Sequence, residues 1–133
     1  MSTPAMTKEA DLTFLRIAVT LQTVVVFVQA ITAGLLLSSP DIRVLHSAGS
    51  YGLFFVVLLH LVVAILMWRR GGGSPKPILY AGGFFALTLG QIALGIAHVK
   101  TLHVPLGVLM FGMSVLQAVW IWTDRRGRTA AAA

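Results

Sequence analysis

Four apolar runs leave this chain few ways to fold. They extend from about Leu12 to Leu37, Val44 to Trp68, Ile78 to Val99 and His103 to Trp122. About 20 apolar residues in a helix cross a bilayer core about 30 Å thick, and each run is long enough. A helix also satisfies its own backbone hydrogen bonds, which lipid cannot do. The pattern predicts an all-α polytopic membrane protein, a bundle of four transmembrane helices. Composition agrees, with 57% of 133 residues hydrophobic and 11% charged, more apolar than a soluble domain of this size.

The breaks between runs have local causes. Residues 1–11 are polar, with Pro4, Lys8, Glu9 and Asp11, and read as a short disordered or interfacial cytoplasmic tail. A signal peptide is not expected, because the following run is too long and lacks a small-residue cleavage site. Ser38-Ser39-Pro40-Asp41 ends the first helix, and Asp41 is a candidate cap for the second. Arg69 to Pro77 is a flexible basic connection, with Pro77 suited to the first turn of the third helix. His98 to Leu102 is a very tight turn, and Pro105 fits the first turn of a fourth helix starting near His103. Asp124-Arg125-Arg126-Gly127-Arg128 stops the last span, within a basic C-terminal tail over 123–133.

The net charge is +6, but the basic residues occupy short segments between apolar runs. They read as topology determinants rather than as a nucleic-acid surface. Lys8, Arg16, Arg69, Arg70, Lys76, Arg125, Arg126 and Arg128 share one side, and Arg43 and Lys100 the other. Eight against two predicts both termini in the cytoplasm and the chain in the cell membrane. Trp68, Trp120 and Trp122 fall at the cytoplasmic ends, where interfacial aromatics belong. Cysteine is absent, which excludes disulfides, thiolate metal sites and a cysteine nucleophile.

An ionisable residue inside a span is costly and is a functional-site hypothesis by default. His46 and His60 lie fourteen residues apart in the second run. That spacing puts them on one helix face about 21 Å apart. The predicted topology gathers His46, His98 and His103 at the outer face and leaves His60 in the inner half. Thr88, Gln91, Gly95 and His98 form a polar stripe on the third helix, and Gln22 and Gln29 share a face of the first. Gln29 and Gln91 lie at similar depth and are expected to turn into the bundle. Gly83, Gly90 and Ala97 form a small-residue row that would admit a neighbouring helix or a flat ligand.

The pattern also returns. At an offset of 57, His46 recurs as His103, Phe54 as Phe111, Leu59 as Leu116 and Val62 as Val119, while His60 is replaced by Gln117. This predicts two helix-hairpin repeats related by an axis along the membrane normal. Such an axis sets His46 and His103 facing each other across the centre.

Gln29-x-x-x-x-Gly34 leading to His46, and Gln91-Ile92-Ala93-Leu94-Gly95 leading to His103, resemble one four-helix half of the haem A synthase family. Residues 12–122 are covered. Small actinobacterial membrane proteins of unknown function look similar as well. The resemblance implies a b-type haem near the outer face, with His46 and His103 as axial ligands. The chain departs from the family pattern around both histidines. Arg43 stands three residues before His46 and the nearest acid is Asp41; Ser47 follows His46, and Val104 follows His103. These departures bear on haem A synthesis more than on haem binding.

A haem b site needs two facing neutral imidazoles and small residues where the macrocycle lies. Ser50 and Gly107, each four residues after a histidine, offer such room, and Gln29 and Gln91 complete the candidate contacts. His98 and His60 stand second as ligands, His98 as a substitute for His103. His60 paired with Gln22 or Gln117 is equally an interhelical packing group. His46 and His103 themselves also read as interfacial histidines bonded to loop carbonyls. The function classes that follow are a cytochrome b-like protein for electron transfer or haem handling, with a quinol or another redox protein as partner, and a cofactor-free membrane accessory or scaffold. A third is copper or zinc held by His46, His98 and His103. All four carboxylates, Glu9, Asp11, Asp41 and Asp124, lie outside the predicted spans, which speaks against an enzyme. The lipid bilayer is the expected surrounding, and a homo- or hetero-oligomer is compatible with the sequence.

Overall fold

A computed structural model describes residues 4–124, with side chains from Lys8 onward. Four helices carry the fold: α1 (Pro4–Ser38), α2 (Arg43–Gly71), α3 (Lys76–Ile96) and α4 (Lys100–Thr123). All four are long and apolar enough to cross a membrane. α1 packs on α2 and α4, and α3 packs on α2 and α4; among the described residues the diagonal pairs do not pack. The helices therefore run up and down around a square in chain order. The α1–α2 and α3–α4 turns meet at one end, here the turn end. The α2–α3 loop and the last turn of α4 lie at the other, the loop end.

Ring contacts mark three sides of the square. Phe27 of α1 stacks on Phe111 of α4 at 5.5 Å between centroids, Phe54 of α2 meets Phe85 of α3 at a tilt at 5.6 Å, and Tyr80 of α3 meets Trp120 of α4 edge-on at 5.7 Å. Two apolar clusters fill the interior. Val26, Leu53, Val57, Phe84 and Met110 pack at mid-depth; Leu15, Val19, Ala64 and Ala81 pack toward the loop end. Between them lies a fully buried polar layer of Gln22, His60 and Ser114. Phe14, Phe55, Leu79, Val108 and Leu116 point outward, an apolar surface of the kind that suits lipid.

The element boundaries depart from the sequence expectations at three places. α1 begins at Pro4, so residues 4–11 are helical rather than a tail; residues 1–3 and the basic 125–133 lie outside the described residues. Pro4 opens this helix, where a missing amide costs nothing. Asp41 does not cap α2. It lies in a single 3-10 turn, Pro40–Ile42, that leads straight into Arg43, and the α2 N-terminus has no side-chain cap. Pro105 sits in the second turn of α4, not the first, because Val99 accepts from the amides of Leu102 and His103 and starts the helix at Lys100.

The α3–α4 turn is a Schellman closure. His98 donates its amide to Gly95 O at 3.2 Å, and Val99 donates to Leu94 O at 3.0 Å. His98 holds φ 57°, the left-handed conformation that glycine usually supplies at this position. Its side chain is exposed. Left-handed φ costs a residue with a Cβ about 1–2 kcal/mol. His98→Gly is therefore expected to raise the unfolding free energy by about 1 kcal/mol, read from denaturant unfolding in detergent. A loss of stability would mean that the imidazole holds the turn.

Candidate functional site

At the turn end, α2 and α4 each contribute one histidine to the middle of the square. Their ring centroids lie 6.2 Å apart, with the planes at 78°. His46 is the fourth residue of α2 and His103 the fourth of α4. Both rings are half-buried. The sequence offset of 57 thus joins two residues whose rings meet although the backbones of their helices do not approach each other.

Hydrogen bonds engage Nδ1 of each ring. His103 Nδ1 lies 3.0 Å from Gln91 O. A carbonyl only accepts, so Nδ1 carries the proton. His46 Nδ1 lies 2.9 Å from Thr32 Oγ1, and the Thr32 hydroxyl donates to Gln29 O at 3.0 Å. Thr32 Oγ1 thus bridges His46 Nδ1 and the Gln29 carbonyl. In His103 the lone pair is left on Nε2. A hydrogen bond at one ring nitrogen is what sets which nitrogen can bind a metal.

The rest of the site is built from glutamine on glycine. Gln29 of α1 lies over Gly49 of α2, so closely that a Cβ there would overlap the Gln29 amide. Gln91 of α3 lies over Gly107 of α4, where an added Cβ would be 2.8 Å from Gln91 Nε2. Gly95 admits the His103 ring, whose Cε1 would lie 3.2 Å from a Cβ. One amide atom of each glutamine, Gln29 Nε2 and Gln91 Oε1, is buried without a partner. Gly107 thus receives Gln91, and its counterpart on α2 is Gly49 rather than Ser50, whose hydroxyl donates to Ser47 O at 2.6 Å within its own helix.

Other sequence candidates fall elsewhere. His98 points outward from its turn. Among the described residues no three His, Cys, Asp or Glu side chains gather as a metal site, so the expected trio of His46, His98 and His103 does not form. The left-handed turn that lets α4 follow α3 at once is what turns His98 away. Of the row of Gly83, Gly90 and Ala97, both glycines face open space, and no helix of the described residues comes within 4 Å of where their Cβ would stand. His60 is fully buried near the loop end. Its Nδ1 donates to Gln22 Oε1 at 2.7 Å, and Gln22 Nε2 donates to Gln117 Oε1 at 3.4 Å.

Thr32 is the residue that sequence reading missed. Its signal was its place three residues after Gln29, on the same helix face. No protein-family model matches the chain, and neither a curated protein nor a solved structure is similar to it.

Proposed function

We propose that this is an integral membrane protein that binds a b-type haem between His46 and His103 and serves one-electron transfer or haem handling. The observation that carries this reading is the histidine pair itself: both Nδ1 atoms engaged in hydrogen bonds and the rings 6.2 Å apart. A metal bound by two imidazoles at about 2 Å, with each nitrogen about 1 Å from its ring centre, sets those centres about 6 Å apart. The donor set therefore fits an iron ion. When bound, haem supplies a one-electron couple tuned by its axial ligands and their hydrogen bonds.

The chain's own residues divide the remaining work. The Gln91 carbonyl leaves the His103 lone pair on Nε2, and Thr32, accepting from His46 Nδ1–H, would do the same for His46. Gly49 and Gly107 lie about one turn deeper on the ligand helices, where a flat macrocycle needs room. Gln29 and Gln91 occupy that level, so haem entry moves both amides, and their unpartnered atoms make that displacement cheap. The two hairpins, each pairing a glutamine with a glycine beside a histidine, read as parallel repeats. Charge places the turn end outside the cell membrane, with Arg43 and Lys100 there to meet propionates, and both termini in the cytoplasm.

The test is a dithionite-reduced minus oxidised spectrum of detergent-purified protein from cells fed a haem precursor. A sharp b-type α band is expected. Thr32→Val is expected to keep the band but weaken haem retention about 10–100-fold, as loss of a ligand's hydrogen-bond partner does. A flat spectrum from folded protein would overturn the haem reading and leave a membrane accessory protein.

A further inference from the structure

The side of the bundle between α1 and α4 carries a feature independent of the histidine pair. An outward-facing groove of about 400 Å³ runs there, with Thr20, Thr23, Val24, Ala118, Val119 and Trp122 among its walls. Its polar groups are already engaged. The Thr23 hydroxyl bonds to Val19 O and Ser114 O, and Trp122 Nε1 donates to Thr20 Oγ1 at 3.0 Å. The groove itself therefore suits hydrocarbon. Its loop end is different. Arg16, one turn before Thr20, lies over the Trp122 ring with Cζ 5.2 Å from the centroid. Its Nε donates to Ile121 O at 3.2 Å. Ring and carbonyl together hold the half-buried guanidinium in place. Among the described residues no carboxylate pairs with Arg16, and no hydrogen bond takes up its Nη groups.

We propose that Arg16 and this groove hold one anionic phospholipid, its phosphate on the Nη groups and the start of an acyl chain in the groove. The N–H fork of a guanidinium matches the oxygens of a phosphate. Depth agrees. Leu12 to Leu37 spans about 39 Å as a helix, longer than a hydrocarbon core of about 30 Å. Arg16, one turn in, then stands at headgroup level. The groove lies deeper, from Thr20 to Val24, where acyl chains begin. A free phosphate would meet the cation and leave the groove empty. A neutral lipid would do the reverse. A phosphate ester that carries acyl chains meets both. Charge favours an anionic headgroup, because Lys8, Arg16, Arg69, Arg70 and Lys76 outnumber Glu9, Asp11 and Asp124 among the described residues at this end. The assignment does not rest on haem binding.

The experiment is a titration of the detergent-purified protein with a short-chain phosphatidylglycerol, read by native mass spectrometry. One saturable adduct is expected. Arg16→Gln should weaken it about tenfold, the effect of one lost charge-assisted contact. Arg69→Gln removes the same charge from the same end and should leave it unchanged. Val119→Trp fills the groove from an exposed position, keeps the Arg16 contacts and should abolish the adduct. Equal losses from Arg16→Gln and Arg69→Gln would reflect diffuse attraction and overturn the proposal. An adduct that survives Val119→Trp, or equal binding of phosphatidylcholine with the same chains, would overturn it as well. So would displacement by inorganic phosphate at the concentration of the lipid, since the site would then take the anion without its chain.

Discussion

His46→Ala is expected to remove the low-spin b-type band completely, and His103→Ala to do the same. The reason is that the pair has no understudy. His98 points away in its turn, and among the described residues no third His, Cys, Asp or Glu joins the two. In the proposed haem site, removing either imidazole would leave the iron with one protein ligand instead of two. The loss should exceed the about 10–100-fold that second-shell changes cause. His60→Ala should keep the band, because fourteen residues of helix put it about 21 Å from His46. Free imidazole added to His46→Ala should restore the band, since it occupies the vacated position. That rescue separates a missing ligand from a misfolded bundle. A His103→Ala protein with an unaltered band would give the axial position to another residue and overturn the pairing.

Much of this arrangement is legible in the sequence, for reasons that differ between parts. The four helices follow from apolar length, which the membrane sets and local detail hardly affects. Their ends do not. Pro4 starts α1 well before the apolar run, because polar residues such as Lys8 and Glu9 are good helix formers and hydropathy is silent about them. The meeting of His46 with His103 agrees with the expectation drawn from the offset of 57, since each is the fourth residue of a helix that starts at the same end of the bundle. The hydrogen bonds that fix the rings are less legible. Thr32 reaches His46 only because the α1–α2 turn folds one helix end back on the other. Gln91 reaches His103 through its backbone carbonyl, which no side-chain pattern can announce. The left-handed His98 is equally invisible, because histidine is a rare occupant of a place that glycine signals.

Gln22→Leu is expected to destabilise the bundle by about 2–3 kcal/mol, more than any other single change to an amide in this chain. His60 Nε2 is already buried without a partner, and Gln22 is the sole partner of its Nδ1 among the described residues. Removing that amide leaves both ring nitrogens stranded in an apolar layer, and a buried donor left unsatisfied costs about 1–3 kcal/mol. His60→Leu strands only Gln22 Oε1 and should cost less, about 1–2 kcal/mol. The double variant Gln22→Leu, His60→Leu removes both sides of the bond and should cost about 1 kcal/mol less than the two singles together. Hydrogen bonds in membrane bundles average about 0.6 kcal/mol with maxima near 1.7, so a coupling of this size marks a strong one. The measurement is SDS unfolding in mixed micelles, followed by helicity. Additive effects would show that Gln22 and His60 are separate groups rather than a connected pair. Coupled effects would mean that the layer between the two apolar clusters fixes the depth at which α1, α2 and α4 meet. The turn-end histidines depend on that register, because a one-turn slip of α2 along α1 would carry His46 away from Thr32 by about 5.4 Å.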